Sequence, residues 1–168
     1  MKYILETDRL KLREFNFNDA LFTIELLNSP GWLQFIGNRN VSNEVQAKSY
    51  LENGPIKSYG ENGYGLWLVE KKEDNVPIGM CGIINRASLD NPDIGYAFLP
   101  EFTGHGYAFE IANATLKLAK DTLKIPVIAA ITTDSNLKSI RLLDKLGFKF
   151  KRRIFFQDDN EELLLYNI

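Results

Sequence analysis

Apolar and polar positions alternate along Leu10-Lys11-Leu12-Arg13-Glu14-Phe15, the two-residue period of a half-buried strand. Turn chemistry follows over 16–19, where Asn18 or Asp19 is placed to cap a helix. The period then lengthens. Leu21, Phe22, Ile24, Glu25, Leu27 and Asn28 recur at helical spacing, up to Pro30-Gly31. Trp32, Phe35 and Ile36 fall in a short stretch without a period, either as cover for a core or as the wall of a pocket. A second helix is expected over 42–53, capped by Ser42 with Glu44 in its first turn. Gly54-Pro55 should break or kink it, with a helical turn regained before Gly63.

Two strands, 65–70 and 77–85, flank the charged turn 71–75 and read as an antiparallel pair. Gly79 and Gly82 weaken the second strand intrinsically, so they imply a close approach or a bulge. The run 94–99 is apolar on both faces and should be central. A helix over 104–123 follows, with Ala108, Ile111, Ala112, Thr115, Leu118, Ala119 and Leu123 on one face. The run 127–132 is again fully apolar, so the pair reads as a parallel β-α-β unit. Asp134-Ser135-Asn136 caps a further helix, which Gly147 ends. A last hairpin joins 148–156 to 161–168 around Gln157-Asp158-Asp159-Asn160. With no repeat, linker or low-complexity tract, residues 1–168 read as one α+β domain. Its mixed, mostly antiparallel sheet has about seven strands, flanked by about four helices.

Composition narrows the function. Of 168 residues, 45% are hydrophobic and 25% charged, which suits a globular core and excludes disorder. A formal charge of −2 is too balanced for a general nucleic-acid binder. Cys81 is the only cysteine, so no intrachain disulfide forms, and its ordinary role is a small buried hydrophobe. Met1 to Asp8 carries charge by its sixth residue and lacks a signal-peptide core. No apolar run reaches the ~20 residues of a membrane span, so a cytoplasmic protein without membrane partners is expected. One His and one Cys exclude a metal cluster of soft ligands. A Ser-His-Asp hydrolase would need His105, and no Gly-x-Ser-x-Gly elbow is present. His105 is either a solvent-facing turn residue or a ligand contact.

The chemistry concentrates in 93–110: a strand, a Pro-marked exit, the turn Gly104-His105-Gly106 and a helix start. Backbone N–H groups at a helix start are free, and small residues there admit a phosphate. A Walker A loop is absent, and a dinucleotide fingerprint needs a small residue where Phe109 stands. A pyrophosphate held by successive amides is the third reading. The segment PEFTGHGYAFE is similar to the acyl-CoA-binding motif, Gln/Arg-x-x-Gly-x-Gly/Ala, of the GNAT N-acetyltransferases. ETDRLKLREFNFNDA resembles the start of their ribosomal-protein (RimJ/RimL-like) subgroup, and NLKSIRLLDKLGFK the later Asn-x-x-Ser…Leu-Gly-Phe segment. Glu101 departs from the motif, standing where Gln or Arg is common.

This resemblance implies acetyl-CoA as cosubstrate and direct attack by a primary amine in a ternary complex. It implies that strands 93–99 and 127–132 splay, with backbone groups of Phe98, Leu99 and Pro100 lining the pantetheine arm. Amides of Gly104, His105, Gly106, Tyr107, Ala108 and Phe109 would hold the pyrophosphate. Asn136 would bond the arm, or serve only as a helix cap. Asp93 is the candidate base, acting through water, unless it merely ends the Asn91-Pro92 turn; Asp158, Asp159, Glu161 and Glu162 are the fallback. The Leu99 N–H is the expected oxyanion donor. Leu143 occupies the place of a common acid tyrosine, which leaves Ser139 beside the departing thiolate, with Tyr96 and Tyr107 in reserve. The acceptor is a protein N-terminal α-amine by subgroup resemblance, or else an amino acid, polyamine or amine drug. Its groove would draw on the first two helices with Trp32 and Phe35, on 64–69 and on 157–162. The assembly is a monomer or homodimer. The alternative is a non-catalytic acyl-CoA-binding regulatory domain on the same scaffold.

Overall fold

The computed structural model describes residues 3–155 and 161–168. Its strands are β1 (Tyr3–Glu6), β2 (Leu10–Arg13), β3 (Leu66–Lys71), β4 (Pro77–Ile84), β5 (Asp93–Phe98), β6 (Ala129–Thr132), β7 (Lys149–Phe155) and β8 (Glu162–Asn167). They form one sheet in the order β1-β2-β3-β4-β5-β6-β8-β7. Every neighbouring pair is antiparallel except β5 and β6. The helices are α1 (Ala20–Leu27), α2 (Pro30–Phe35), α3 (Glu44–Leu51), α4 (Lys57–Asn62), α5 (Tyr107–Asp121) and α6 (Leu137–Leu146). No helix among the described residues is long and apolar enough to cross a membrane.

Strand alternation sends side chains into two cores. Cys81, Ile83 and Ile94 join Ile111, Ala112, Leu116 and Leu143 beneath α5 and α6. Leu68, Met80 and Leu99 join Leu26, Leu27, Ala47 and Leu51 beneath α1 and α3. Gly82 allows β3 to lie close: a Cβ there would stand 2.0 Å from the Gly65 carbonyl oxygen. Close approach, one of the two roles expected of it, is therefore what this glycine serves.

Four local features differ from the sequence reading. An eighth strand, β1, exists; it is four residues long and pairs irregularly with β2, too short for a period to emerge. Pro30 starts α2 instead of closing a helix, because a first-turn position has no N–H to lose. Trp32 is thereby carried into the core, 5% exposed. Asn43, not Ser42, caps α3 by accepting the Gln46 N–H at 3.0 Å. Gly54-Pro55 does not break the chain's helical course: a π turn over Glu52–Ile56 absorbs Pro55 and leads straight into α4. The hairpin tip 157–160 lies outside the described residues.

The turn before α1 is fixed by a buried ion network. Arg13 donates from Nε to Glu70 at 2.7 Å and from both Nη atoms to Asp19 at 2.8 Å. All three residues are buried. Asp19 also accepts the Asn16 N–H at 2.8 Å, closing a capping box. Removing the cation leaves buried Asp19 with the Asn16 N–H and buried Glu70 with only Lys11, 4.0 Å away. Arg13→Met should therefore destabilise the protein by about 3–5 kcal/mol, read from urea unfolding at neutral pH.

Candidate active site

The parallel pairing of β5 with β6 rests on one register position, Asp93 opposite Ala129. The Ala129 N–H reaches the Pro92 carbonyl at 2.8 Å. Beyond that point β6 pairs only with β8, and an opening runs toward the C-terminal end of β5. Parity decides which backbone groups face it. Along an antiparallel strand, successive residues turn N–H and C=O alternately toward and away from the partner. The Leu99 N–H is donated to the Ile78 carbonyl at 3.0 Å, and the β4–β5 register is unbroken. Ala97 and Gly95 share the orientation of Leu99; Ile94, Tyr96 and Phe98 face the opening.

This corrects two expectations. Leu99 cannot be a free oxyanion donor, because β4 takes its N–H and Phe102 donates to its carbonyl at 3.0 Å. The Pro100 carbonyl is equally occupied, by the Thr103 N–H at 3.2 Å and hydroxyl at 2.8 Å. Of the predicted trio, only Phe98 turns its backbone toward the opening, and Tyr96 does so one step deeper. The sequence marks the strand but not its register, and parity follows only from register.

The turn after β5 has the conformation its glycines imply. Gly104 and Gly106 are left-handed, at φ 82° and 81°. A Cβ on Gly104 would meet nothing within 4 Å, so dihedral freedom and not space is what glycine supplies there. The first bond into α5 runs from the Glu110 N–H to the Gly106 carbonyl at 3.1 Å. Among the described residues, no amide of 104–109 donates a backbone hydrogen bond of its own. His105 is exposed, its ring nitrogen 3.1 Å from the Glu101 carbonyl.

Across the opening, the N-terminus of α6 faces β5. Asn136 caps it, accepting the Ser139 N–H at 3.2 Å. The Ser139 hydroxyl lies 2.9 Å from the Tyr96 hydroxyl, a bridge between strand and helix. Burial pushes the Tyr96 phenol up to about 12, so it stays protonated near neutrality. The Tyr96–Ser139 bridge has no sequence signal, since its partners are 43 residues apart. Leu143 is buried among apolar side chains, so no hydroxyl stands at that position.

Asp93 lies on the opposite face, directly across from Ile84. Its carboxylate accepts from Arg86 Nε at 2.8 Å and is 1% exposed. Burial raises its pKa to about 6 against the opposing pull of Arg86. It stands three residues upstream of Tyr96, about 10 Å along the strand. Among the fallback acids, Glu162 is paired with Arg153 at 2.6 Å and Glu161 is exposed; Asp158 and Asp159 lie outside the described residues.

On the Asp93 face, a cavity of about 460 Å³ lies between α3–α4 and the ends of β3 and β4. Tyr50, Asn53, Lys57, Ser58, Leu66 and Ile84 line it, and no carboxylate does. Gly95 abuts the same wall: a Cβ there would stand 2.7 Å from Ile84 Cδ1. Of the residues expected to line a groove, this cavity includes Gly65 and Leu66 and, from the second expected helix, Tyr50 and Asn53; Trp32 and Phe35 are not in its lining, and the π turn and α4 complete the wall. A second hollow, of about 610 Å³, lies against β7 and the loop before β5.

Comparison with known proteins agrees with this geometry. The family model described as acetyltransferase (GNAT) domain matches residues 9–149. The uncharacterized protein YkkB of Bacillus subtilis is 30% identical over 156 residues, covering 89% of this chain and 87% of YkkB. The uncharacterized N-acetyltransferase YoaA of the same organism is 29% identical over 147 residues, covering 87% and 82%. A solved structure of RimL, a ribosomal L7/L12 alpha-N-protein acetyltransferase in complex with coenzyme A, superposes with a TM-score of 0.84. That match covers 99% of this chain and 97% of RimL at 16% identity, a likeness of fold.

The buried Asp93 gives a signed pH effect. A carboxyl whose folded pKa lies above its unfolded value costs stability once ionised, so stability falls as pH rises from about 4 through about 6. Asp93→Asn removes that slope. From pH 4 to pH 7 the variant should gain about 2–3 kcal/mol relative to the parent in urea unfolding.

Proposed function

The chain belongs to the acetyltransferase (GNAT) domain family, and from that premise we propose that it transfers acetyl from acetyl-CoA to a protein N-terminal α-amine. The observation that carries the reading is the opening beside β5, with unpaired backbone groups along one edge and free turn amides at its mouth. The pyrophosphate takes the amides of Gly104, His105, Gly106, Tyr107, Ala108 and Phe109, where the helix end adds a favourable field. The arm runs inward past Phe98 as an added strand. The amide nitrogen of Asn136 is left to bond it, since only the oxygen of that side chain is engaged as a cap.

The arm meets Phe98 first, so the deeper Tyr96 N–H is the oxyanion donor in place of Leu99. A fixed donor of this kind is worth ~10²–10³ in rate. Ser139, bonded to the Tyr96 hydroxyl, stands where the sulfur arrives and positions it. A thiol pKa near ~8.5 means the leaving group needs little protonation.

The acceptor enters from the Asp93 face, through the cavity beneath α3 and α4. A cavity with Lys57 and no carboxylate in its lining suits a single amine better than a polycation. An α-amine, with pKa near ~7.7–8.0, is already partly neutral at pH 7. Asp93 serves as the final proton acceptor through a chain of waters, and its pKa of about 6 is matched to that task. The geometry gives no direct contact.

Gly106→Glu places a carboxylate in the turn and should abolish CoA binding in calorimetry while the thermal melt stays cooperative. Unchanged affinity would remove the pyrophosphate assignment. With a panel of amino-terminal peptides, amino acids and polyamines, release of free CoA should be fastest with a peptide. Tight CoA binding with no amine turning over would establish the regulatory-domain alternative. The kcat/KM profile should lose its acidic limb near pH 6 in Asp93→Asn; a limb that persists would show that another group accepts the proton.

A further inference from the structure

The corner between β1 and β2 is bonded to the start of α5, 101 residues away. One carboxylate, Glu110, organises the contact. Its Oε1 accepts from the Thr7 hydroxyl at 2.6 Å and the Arg9 N–H at 3.0 Å. Its Oε2 accepts from Arg9 Nε at 2.7 Å and Nη2 at 2.6 Å. The remaining arm of the fork, Arg9 Nη1, donates to the His105 carbonyl at 3.0 Å. The guanidinium carbon stands 4.5 Å from the centroid of the Tyr107 ring. These bonds outweigh the burial that would raise the Glu110 pKa, and hold it below the ordinary carboxylate range.

The bond to His105 matters most. A trans peptide sets its C=O and the following N–H in opposite directions. By holding the His105 carbonyl, Arg9 turns the Gly106 N–H away from itself. That peptide lies between two left-handed glycines, the softest backbone in the chain, and nothing else holds its carbonyl among the described residues. We propose that Arg9 is a positioning residue for the diphosphate turn: it locks the 105–106 peptide with its N–H presented to the ligand, and Glu110 and Thr7 anchor it. The proposal rests on the reading of this turn as the diphosphate site. Three of the five guanidinium N–H groups of Arg9 are engaged by the protein, one of them on the turn itself, and through that bond Arg9 acts on the turn. It also offsets the charge of Glu110, which would otherwise repel a diphosphate at the same helix end.

The test compares CoA with pantetheine, which lacks the diphosphate and the 3′-phosphoadenosine beyond it. Calorimetry with CoA and with pantetheine is carried out on the parent, Arg9→Ala, Arg9→Lys, Glu110→Gln and Gly106→Glu, with thermal melts confirming folding. Arg9→Ala should weaken CoA about tenfold or more, the scale of a lost charge-assisted bond, and leave pantetheine affinity within about twofold. Arg9→Lys should not rescue, because an ammonium cannot bridge Glu110 and the His105 carbonyl together. Glu110→Gln should weaken CoA in the same direction by less. Equal loss for CoA and pantetheine would mean a general structural role and overturn the proposal, as would unchanged CoA affinity in Arg9→Ala. If Gly106→Glu abolishes CoA binding and Arg9→Ala is silent, only the positioning role falls. If Gly106→Glu binds CoA normally, the diphosphate reading falls with it.

Discussion

A sheet that stops pairing in its middle has to satisfy its backbone some other way. Here β5 and β6 share a single register position and then separate. Buried backbone groups without partners cost on the order of 1–3 kcal/mol each, so such an edge stays wet or takes a guest. The single register position between β5 and β6 is the shortest pairing among the described strands, whose other pairs run over several residues despite local shifts in β1–β2, β3–β4 and β7–β8. The helix start, the α6 cap and the Tyr96–Ser139 bridge are all arranged around it. The sheet also divides the labour. The face under α5 and α6 carries Tyr96 and Phe98, and the face under α1 to α4 carries the cavity and Asp93.

Much of this was readable from residue order. The periods of 10–15, 65–70 and 77–85 gave strands at the observed places, and the double-sided apolar runs 94–99 and 127–132 gave the central pair. Gly104 and Gly106 marked the turn, though for the room they leave a phosphate; their left-handed backbone came only with the structure. What escaped was whatever depends on register or on cooperative geometry. Leu99 looked like a donor because it ends the strand, yet one residue of parity gives its N–H to Ile78. Pro55 looked like a break or a kink, yet a π turn carries the helical course into α4, and residues of that turn join α3 in the cavity wall. Trp32 and Phe35 read as core cover or as pocket wall; the first reading holds for Trp32, carried into the core by a helix that Pro30 starts.

Asp93 shows why a position and a role must be separated. Residue order placed a carboxyl at the head of the central strand, and the structure does too. Only the structure shows that it is buried, bonded to Arg86 and held at a pKa of about 6. These properties follow from its place on the α1–α4 face of the sheet, opposite the face that carries Tyr96.

The bond between Arg9 and Glu110 also orders events in time. It closes a loop of 101 residues, so the contact is complete only when the β1–β2 corner and the start of α5 are both in place. During synthesis, Arg9 emerges long before its partner. Until α5 is complete, the chain has the glycines of its ligand turn but not the corner that steadies them. A ligand that binds the finished turn and not the unfinished chain stabilises the folded state by mass action.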